Sequence, residues 1–365
     1  MNTKLNIKKW LLPVAIVAGL AATQSVVADS DLAANLRAEA DRIELDQKRS
    51  IAMQSLVNDI LADSDSRTSF QGDTNPVTVN VHGFTQFRYS YDGGGDAGVS
   101  RGFSMPRTRL ILDGEVYGVG YKISGQWDDG HSFDLKDAYI DVSGFRVGQF
   151  KSPFLREYLV AQTDTLMADR SIVSHQFGQG RSQGVQYGWD TDVFDLKVAY
   201  TDGFHTANGA GVQNGQSFTG RVTANLTDWW NVGAAASWND LVSSNYTTYT
   251  VDTEVSVGDL DVNAAWVATN QEGSNWGATV QVGYQCTDNL QGYVAYEHGE
   301  LEAAADTLST LTVGANYWLN DNVKWTTDFG YALTGIDSAW ATGDTGWNAG
   351  DSGEYLIRTQ LQVQF

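Results

Sequence analysis

From Val77 onward, apolar and polar residues alternate in steps of two. Phe194, Leu196, Val198 and Tyr200 interleave with Asp195, Lys197 and Ala199. Val323, Trp325, Phe329 and Tyr331 interleave with Lys324, Thr326, Asp328 and Gly330. A period of two places each set on its own face of an extended strand. Sixteen strands are predicted, over 77–91, 103–117, 119–129, 132–142, 144–151, 182–190, 193–202, 217–227, 229–239, 248–257, 259–269, 274–286, 288–299, 308–319, 321–332 and 353–365. Every second connection is a short turn such as "SG", "DTD", "TD", "GD" or "ND". Most of the others are long: 92–102, 152–181, 203–216 and 333–352. Short turns on one rim and long loops on the other are the pattern of an outer-membrane barrel. A soluble sandwich also alternates, but its apolar faces meet each other, and it needs neither an even strand count nor this rhythm. The expected fold is therefore all-β: a 16-stranded antiparallel transmembrane barrel over 77–365, preceded by a short N-terminal helix.

The last strand ends on an aromatic residue. Tyr355, Ile357, Thr359, Leu361, Val363 and Phe365 share one face. A closed barrel has no free edge, so this strand is expected to pair with the first. Many outer-membrane proteins end on an aromatic residue in this way. Phe365 is thus the candidate assembly signal, read by the outer-membrane insertion machinery.

Other patterns precede the barrel. Residues 1–28 have a basic start (Lys4, Lys8, Lys9), the apolar stretch "WLLPVAIVAGLAA" and small residues before Asp29, as a signal peptide does. Residues 29–76 read as a helical segment and linker. Leu36, Ile43 and Val57 share a heptad position, but Glu39, Asp46 and Ser50 interrupt the seam. The segment is either an oligomerising coiled coil or a lone amphipathic stalk that contacts the cell wall.

The formal charge of -21 argues against nucleic acid as a partner. One cysteine, Cys286, allows no internal disulfide. There is no G-x-S-x-G, H-E-x-x-H or P-loop motif, and the five histidines are scattered. No catalytic residue, metal or cofactor is therefore expected. A barrel enzyme or a structural, adhesive outer-membrane protein stand as readings of other classes.

Charge points to the lumen. Of fifteen Lys and Arg from Val77 onward, thirteen lie between Arg88 and Arg221. The alternation turns Arg88, Arg107, Arg109, Lys122, Lys197, Arg221, Lys324 and Arg358 inward, and with them Asp113, Glu115, Asp128, Asp195, Asp252, Glu254, Asp261, Glu297 and Asp328. Lys136 stays unplaced. Inward charge requires a wet interior, and a barrel this wide is not filled by side chains. The connection 152–181 is the candidate constriction. Its apolar residues Leu155, Tyr158, Leu159, Val160, Leu166 and Met167 would be wasted in an external loop. Lys151 at its base and Arg156, Glu157, Asp164, Asp169 and Arg170 along it are the candidate throat residues.

The stretches "RTRLILDGEVYGVGYKISGQWDDG", "DLKDAYIDV", "FRVGQFKSPFLREYL", "TLMADRSIV" and "GRSQGVQYGW" resemble the phosphate-selective porin O and P family over roughly 103–190. That resemblance implies a homotrimer of sixteen-stranded barrels in outer-membrane lipid, with an inward third loop. It also implies anion selection by basic lumen residues. Here, however, inward acids roughly match inward bases. The function expected is passive diffusion of small hydrophilic solutes or ions, with phosphate or anion selectivity as the alternative.

Overall fold

Alternation of this kind produces strands only if both faces find a suitable medium, and the structure shows how each does. The computed structural model describes residues 77–94, 98–128, 132–209, 215–241, 244–304, 307–340, 345–350 and 352–365. The expected signal peptide 1–28 and helical segment 29–76 lie outside the described residues.

Sixteen strands are formed among the described residues. They are β1 (Val77–Gly93), β2 (Ser100–Val116), β3 (Val119–Asp128), β4 (Ser132–Val142), β5 (Phe145–Lys151), β6 (Arg181–Asp190), β7 (Phe194–Thr201) and β8 (Gln216–Thr227), followed by β9 (Trp230–Leu241), β10 (Ser244–Val257), β11 (Leu260–Thr269), β12 (Asn275–Thr287), β13 (Leu290–Glu300), β14 (Leu308–Asn320), β15 (Val323–Ala332) and β16 (Tyr355–Gln364). Each pairs antiparallel with its sequence neighbours, and β1 pairs with β16, so the sheet closes on itself. Closure satisfies every ladder within the wall, which hydrocarbon demands. At the seam the Phe365 amide donates to the Gly83 carbonyl at 3.0 Å, and Gly83 donates back at 2.9 Å. The Phe365 ring lies over Gly83, where an added Cβ would sit 2.9 Å from it.

The burial pattern is inverted relative to a soluble sandwich. In β15, Lys324, Thr326 and Asp328 are buried, while Trp325 is 50% exposed and Phe329 and Tyr331 also face outward. The same inversion recurs around the wall, with Arg88, Gln126, Ser217, Thr250, Gln281 and Asn316 inside and Phe87, Phe103, Trp189, Trp238 and Leu361 outside. Apolar side chains on the outer face need a lipid solvent.

Pairing also explains the unplaced Lys136. Ser124 pairs with Asp137, but Gly125 pairs with Leu135, so Lys136 is the extra residue of a β-bulge. Strict alternation breaks at that point. The bulge re-aims Asp137 into the lumen, where Ser124 donates to it at 2.7 Å.

The barrel contains an apolar core of its own. The connection between β5 and β6 carries two short helices, α1 (Arg156–Leu159) and α2 (Ile172–Phe177). From it Phe154, Leu155, Ile172, Val173 and Phe177 are buried together with Leu308, Ile336, Trp340, Trp347 and Leu356. Two long connections, one before β6 and one before β16, therefore meet inside the wall. Gly277 on β12 permits this, since a Cβ there would come within 2.8 Å of Val173.

The constriction and the divided lumen

The loop from Ser152 to Gly180 is held across the lumen by charged and polar ties to the wall. Asp169 sits at its centre and is fully buried. Arg107 donates to both its oxygens, at 3.0 and 3.1 Å, and Arg88 donates at 2.8 Å. The Arg170 amide, at 2.8 Å, and the Gln162 side chain, at 3.3 Å, complete the cage. Burial alone would raise the pKa of this carboxyl. The Arg107 and Arg88 guanidiniums, with His175, outweigh it and hold the group well below the usual carboxylate range. Asp169 is thus an ionised pin between the loop and strands β1 and β2.

Further ties run round the barrel. Arg358 grips Asp328 at 2.7 and 2.8 Å, and Asp328 accepts from the Ala168 amide at 3.2 Å. Lys324 donates to the Thr163 and Thr165 carbonyls at 2.8 and 3.1 Å. Arg221 holds Asp252 with two bonds of 2.7 Å and reaches the Phe154 carbonyl at 2.7 Å. Glu157 accepts from the Ser171 amide at 2.9 Å and from Gln281 at 3.0 Å, and Glu297 accepts from the Val173 amide at 3.1 Å, at the start of α2. An ionised or polar side chain this far from water needs such partners.

These ties involve several of the expected throat residues. Asp169 is fully buried, while Glu157 is half-buried and lines a small cavity with Arg156 and Asp164. Arg170 lies over the Tyr158 ring, 4.9 Å from its centroid, and donates to the Glu157 and Val160 carbonyls and to Gln162. Arg156 pairs with Glu254. Lys151 donates to the Leu159 and Val160 carbonyls, each at 3.2 Å, and lines the cavity on the β1–β7 side. Asp164 lines the opposite side.

The loop divides the lumen into two chemically different spaces. Against β1–β7 lies a cavity of about 470 Å³. Its lining holds six bases, Arg109, Lys122, Arg146, Lys151, Arg181 and Lys197, against one carboxylate, Asp137. Arg181 pairs with Asp137 at 2.7 Å, Arg146 with Asp141 at 2.8 Å and Lys197 with Asp195 at 2.5 Å. Among the described residues, Arg109, Lys122 and Lys151 have no carboxylate within ion-pair distance. Against β10–β15 lies a second cavity, of about 580 Å³, lined by Asp164, Glu254, Asp261 and Asp321 with Lys324. Inward acids and bases are similar in number and many are paired, but bases are in excess in the first cavity and acids in the second.

A family profile, phosphate-selective porin O and P, matches residues 77–310. The chain belongs to that family. It is an outer-membrane porin, a channel for passive diffusion and not an enzyme. Solved porin structures are similar to it in fold. The anion-selective porin from Comamonas acidovorans is 13% identical, with a TM-score of 0.62, over 80% of this chain and all of that one (100%). The outer-membrane channel DcaP of Acinetobacter baumannii is 16% identical, with a TM-score of 0.61, over 82% of this chain and 100% of that one. OmpT of Vibrio cholerae, solved in a trimer form, is 14% identical, with a TM-score of 0.58, over 79% and 99%. No curated protein matches the chain in sequence.

Sequence reasoning missed three parts of this porin's lumen. Arg146 follows the inward parity of β5 and could have been found from it. Arg181 and Asp137 could not, because one opens a strand and the other follows a bulge. The inward packing of Trp340 and Trp347 had no periodic signal.

Proposed function

We propose that solutes cross this porin along the basic cavity between the loop and strands β1–β7, and that anions are favoured over cations there. The observation that carries this reading is the lining of six bases against one carboxylate. In a narrow, partly desolvated passage such a wall raises local anion concentration. Among the described residues, Arg109, Lys122 and Lys151 form no ion pair, so the nearby Asp137 offsets the positive field of this wall only in part. The phosphate-selective name of the family and the anion selectivity of the Comamonas acidovorans porin agree with it. Assembly as a homotrimer is proposed by likeness to the family and to the trimer form of OmpT. Export through the signal peptide 1–28, a helical segment within 29–76 and recognition of Phe365 by the insertion machinery complete the proposal.

The test is the reversal potential across a potassium chloride gradient in planar bilayers. The unaltered porin is expected to favour chloride. Changing Arg109 and Lys151 together to Gln is expected to move the reversal potential toward potassium, more so at low salt, where screening is weak. Cation preference in the unaltered porin, or no change in the double variant, would overturn the reading.

A further inference from the structure

The basic cavity is not lined by charge alone. Phe84, Ile111, Pro153, Leu159 and Ala161 also line it, and Tyr139 carries the Arg146 guanidinium 3.9 Å from its ring centroid. Phe84 is buried on the inner face of β1, with the Arg109 guanidinium 5.4 Å from its centroid. Cations without a carboxylate partner among the described residues thus stand beside apolar side chains in one confined space, Lys151 hydrogen-bonded only to backbone carbonyls and Arg109 only to Gln126. We infer that the solute class suited to this cavity is an organic carboxylate with a compact apolar body rather than inorganic phosphate. This inference rests on the anion-favouring passage proposed above.

The physical argument concerns what each anion exchanges for its water. Inorganic phosphate is polar on every side. Against Phe84, Ile111, Pro153 and Leu159 it would lose hydration without a replacement hydrogen bond. A carboxylate confines its charge to one end. That end meets Lys122, Lys151 or Arg109, whose Nε donates to Gln126 at 2.9 Å and whose remaining N–H groups face the carboxylate. The hydrocarbon end meets the apolar wall and leaves water, which is favourable in proportion to the area covered. The same wall gives a chloride ion nothing, so the discrimination is between anions, not between signs of charge.

The experiment uses the purified full-length porin in planar bilayers at fixed ionic strength. Chloride current is titrated with acetate, butyrate, hexanoate and inorganic phosphate, and the half-blocking concentration of each is read. Hexanoate has four more methylenes than acetate, and with about half of them on the wall it should block at roughly one tenth of the acetate concentration. Phosphate should block less tightly than hexanoate. Ile111→Thr keeps a β-branched residue on the strand while removing apolar surface. It should shrink the hexanoate advantage by about threefold. Heat-modifiable mobility on a gel confirms that the variant is folded. If it does not fold, the chain-length series on the unaltered porin decides alone. A flat series, or phosphate blocking more tightly than hexanoate, overturns the inference while leaving anion preference standing. A reversal potential that favours potassium overturns the anion-favouring passage itself, and this inference with it.

Discussion

The substitution Asp169→Asn isolates the pin that holds the loop. Asparagine keeps the shape and much of the hydrogen bonding but removes the charge. Arg88 and Arg107 would then be left beside a neutral group, with side chains only 3% and 6% exposed. Removing one partner of a buried ion pair typically costs about 3–5 kcal/mol, because the remaining charge is uncompensated. Two guanidiniums share this carboxylate, but Arg88 also donates to Gln360 at 2.9 Å and to the Ala168 carbonyl at 2.8 Å, which puts the site at the lower end of that range. A loss of about 3 kcal/mol already weakens the pinned state by about a hundredfold relative to an open one. The barrel itself should still close. Its ladders are independent of Asp169, and Arg221, Glu157 and Lys324 still tie the loop elsewhere.

The expected phenotype is therefore a folded porin with a loosened loop. Single-channel recordings should show larger and noisier conductance, and heat-modifiability should begin at lower temperature. Replacing Arg88 and Arg107 by Gln together with Asp169→Asn removes the stranded charges as well. That triple variant should regain part of the lost stability, by the logic of a mutant cycle. The pH dependence follows in sign. A carboxylate held below its usual range stabilises the pinned state above roughly pH 4 and loses that effect only as pH falls through its depressed value. Conductance should stay steady down to about pH 4. Quiet, unchanged conductance in Asp169→Asn, with unchanged thermal behaviour, would refute the pinning argument.

Two other predictions concern the ends of the barrel. Deleting Phe365 removes the paired hydrogen bonds to Gly83 and the ring that covers it, so folded porin in outer-membrane fractions should fall severalfold while the selectivity of surviving channels is unchanged; wild-type amounts would count against the seam. At the other rim the Asn348 amide bridges Asp92 and Glu354, at 2.9 and 3.2 Å, and holds the loop before β16. Burial, followed by the hydrogen bond to Asp92 and its charge, pushes Glu354 up to about 8 from 4.5. The held loop therefore keeps a proton that a released loop would give up between those values, and its hold weakens as pH rises from about 4.5 to about 8. Loop-gating noise should grow across that window and then level off, and Glu354→Gln should flatten the profile. A profile identical in the variant would remove Glu354 from the latch.

The wall of the barrel was legible because it is set by local rules. Period-two alternation, turn length and an even count each follow from crossing lipid with no exposed backbone, so the strand spans came out within a few residues. The inward turn of 152–181 was legible too, since residues such as Leu155 and Met167 have no use in an external loop. What alternation cannot encode is partnership across the lumen. Asp169 finds Arg88 and Arg107 across 81 and 62 positions of chain, and nothing in the spacing marks that pairing. For that reason the loop that carries Glu157, Asp169 and Arg170 could be read from the sequence, but their partners across the lumen could not. Bulges erase the signal locally, as at Lys136, and irregular loops never carry it, as at Trp340 and Trp347.

The unequal balance of charge in the two cavities is what reconciles an acidic chain with the anion-favouring passage proposed above. A formal charge of -21 sums groups that never act on the same ion. In salt water a field decays over about 8 Å, while the loop stands between the basic and acidic walls. An ion beside Arg109 and Lys151 therefore responds to those groups and only weakly to Glu254 or Asp261 across the lumen. The primary sequence held a trace of this, because thirteen of fifteen bases fall between Arg88 and Arg221. In an up-and-down barrel, a stretch of sequence is a sector of wall, so bias along the chain becomes bias around the pore. Selectivity in such a channel is set by which sector the inward loop leaves open. On the passage proposed above, loop anchors such as Asp169 are expected to act on selectivity without touching the permeating ion.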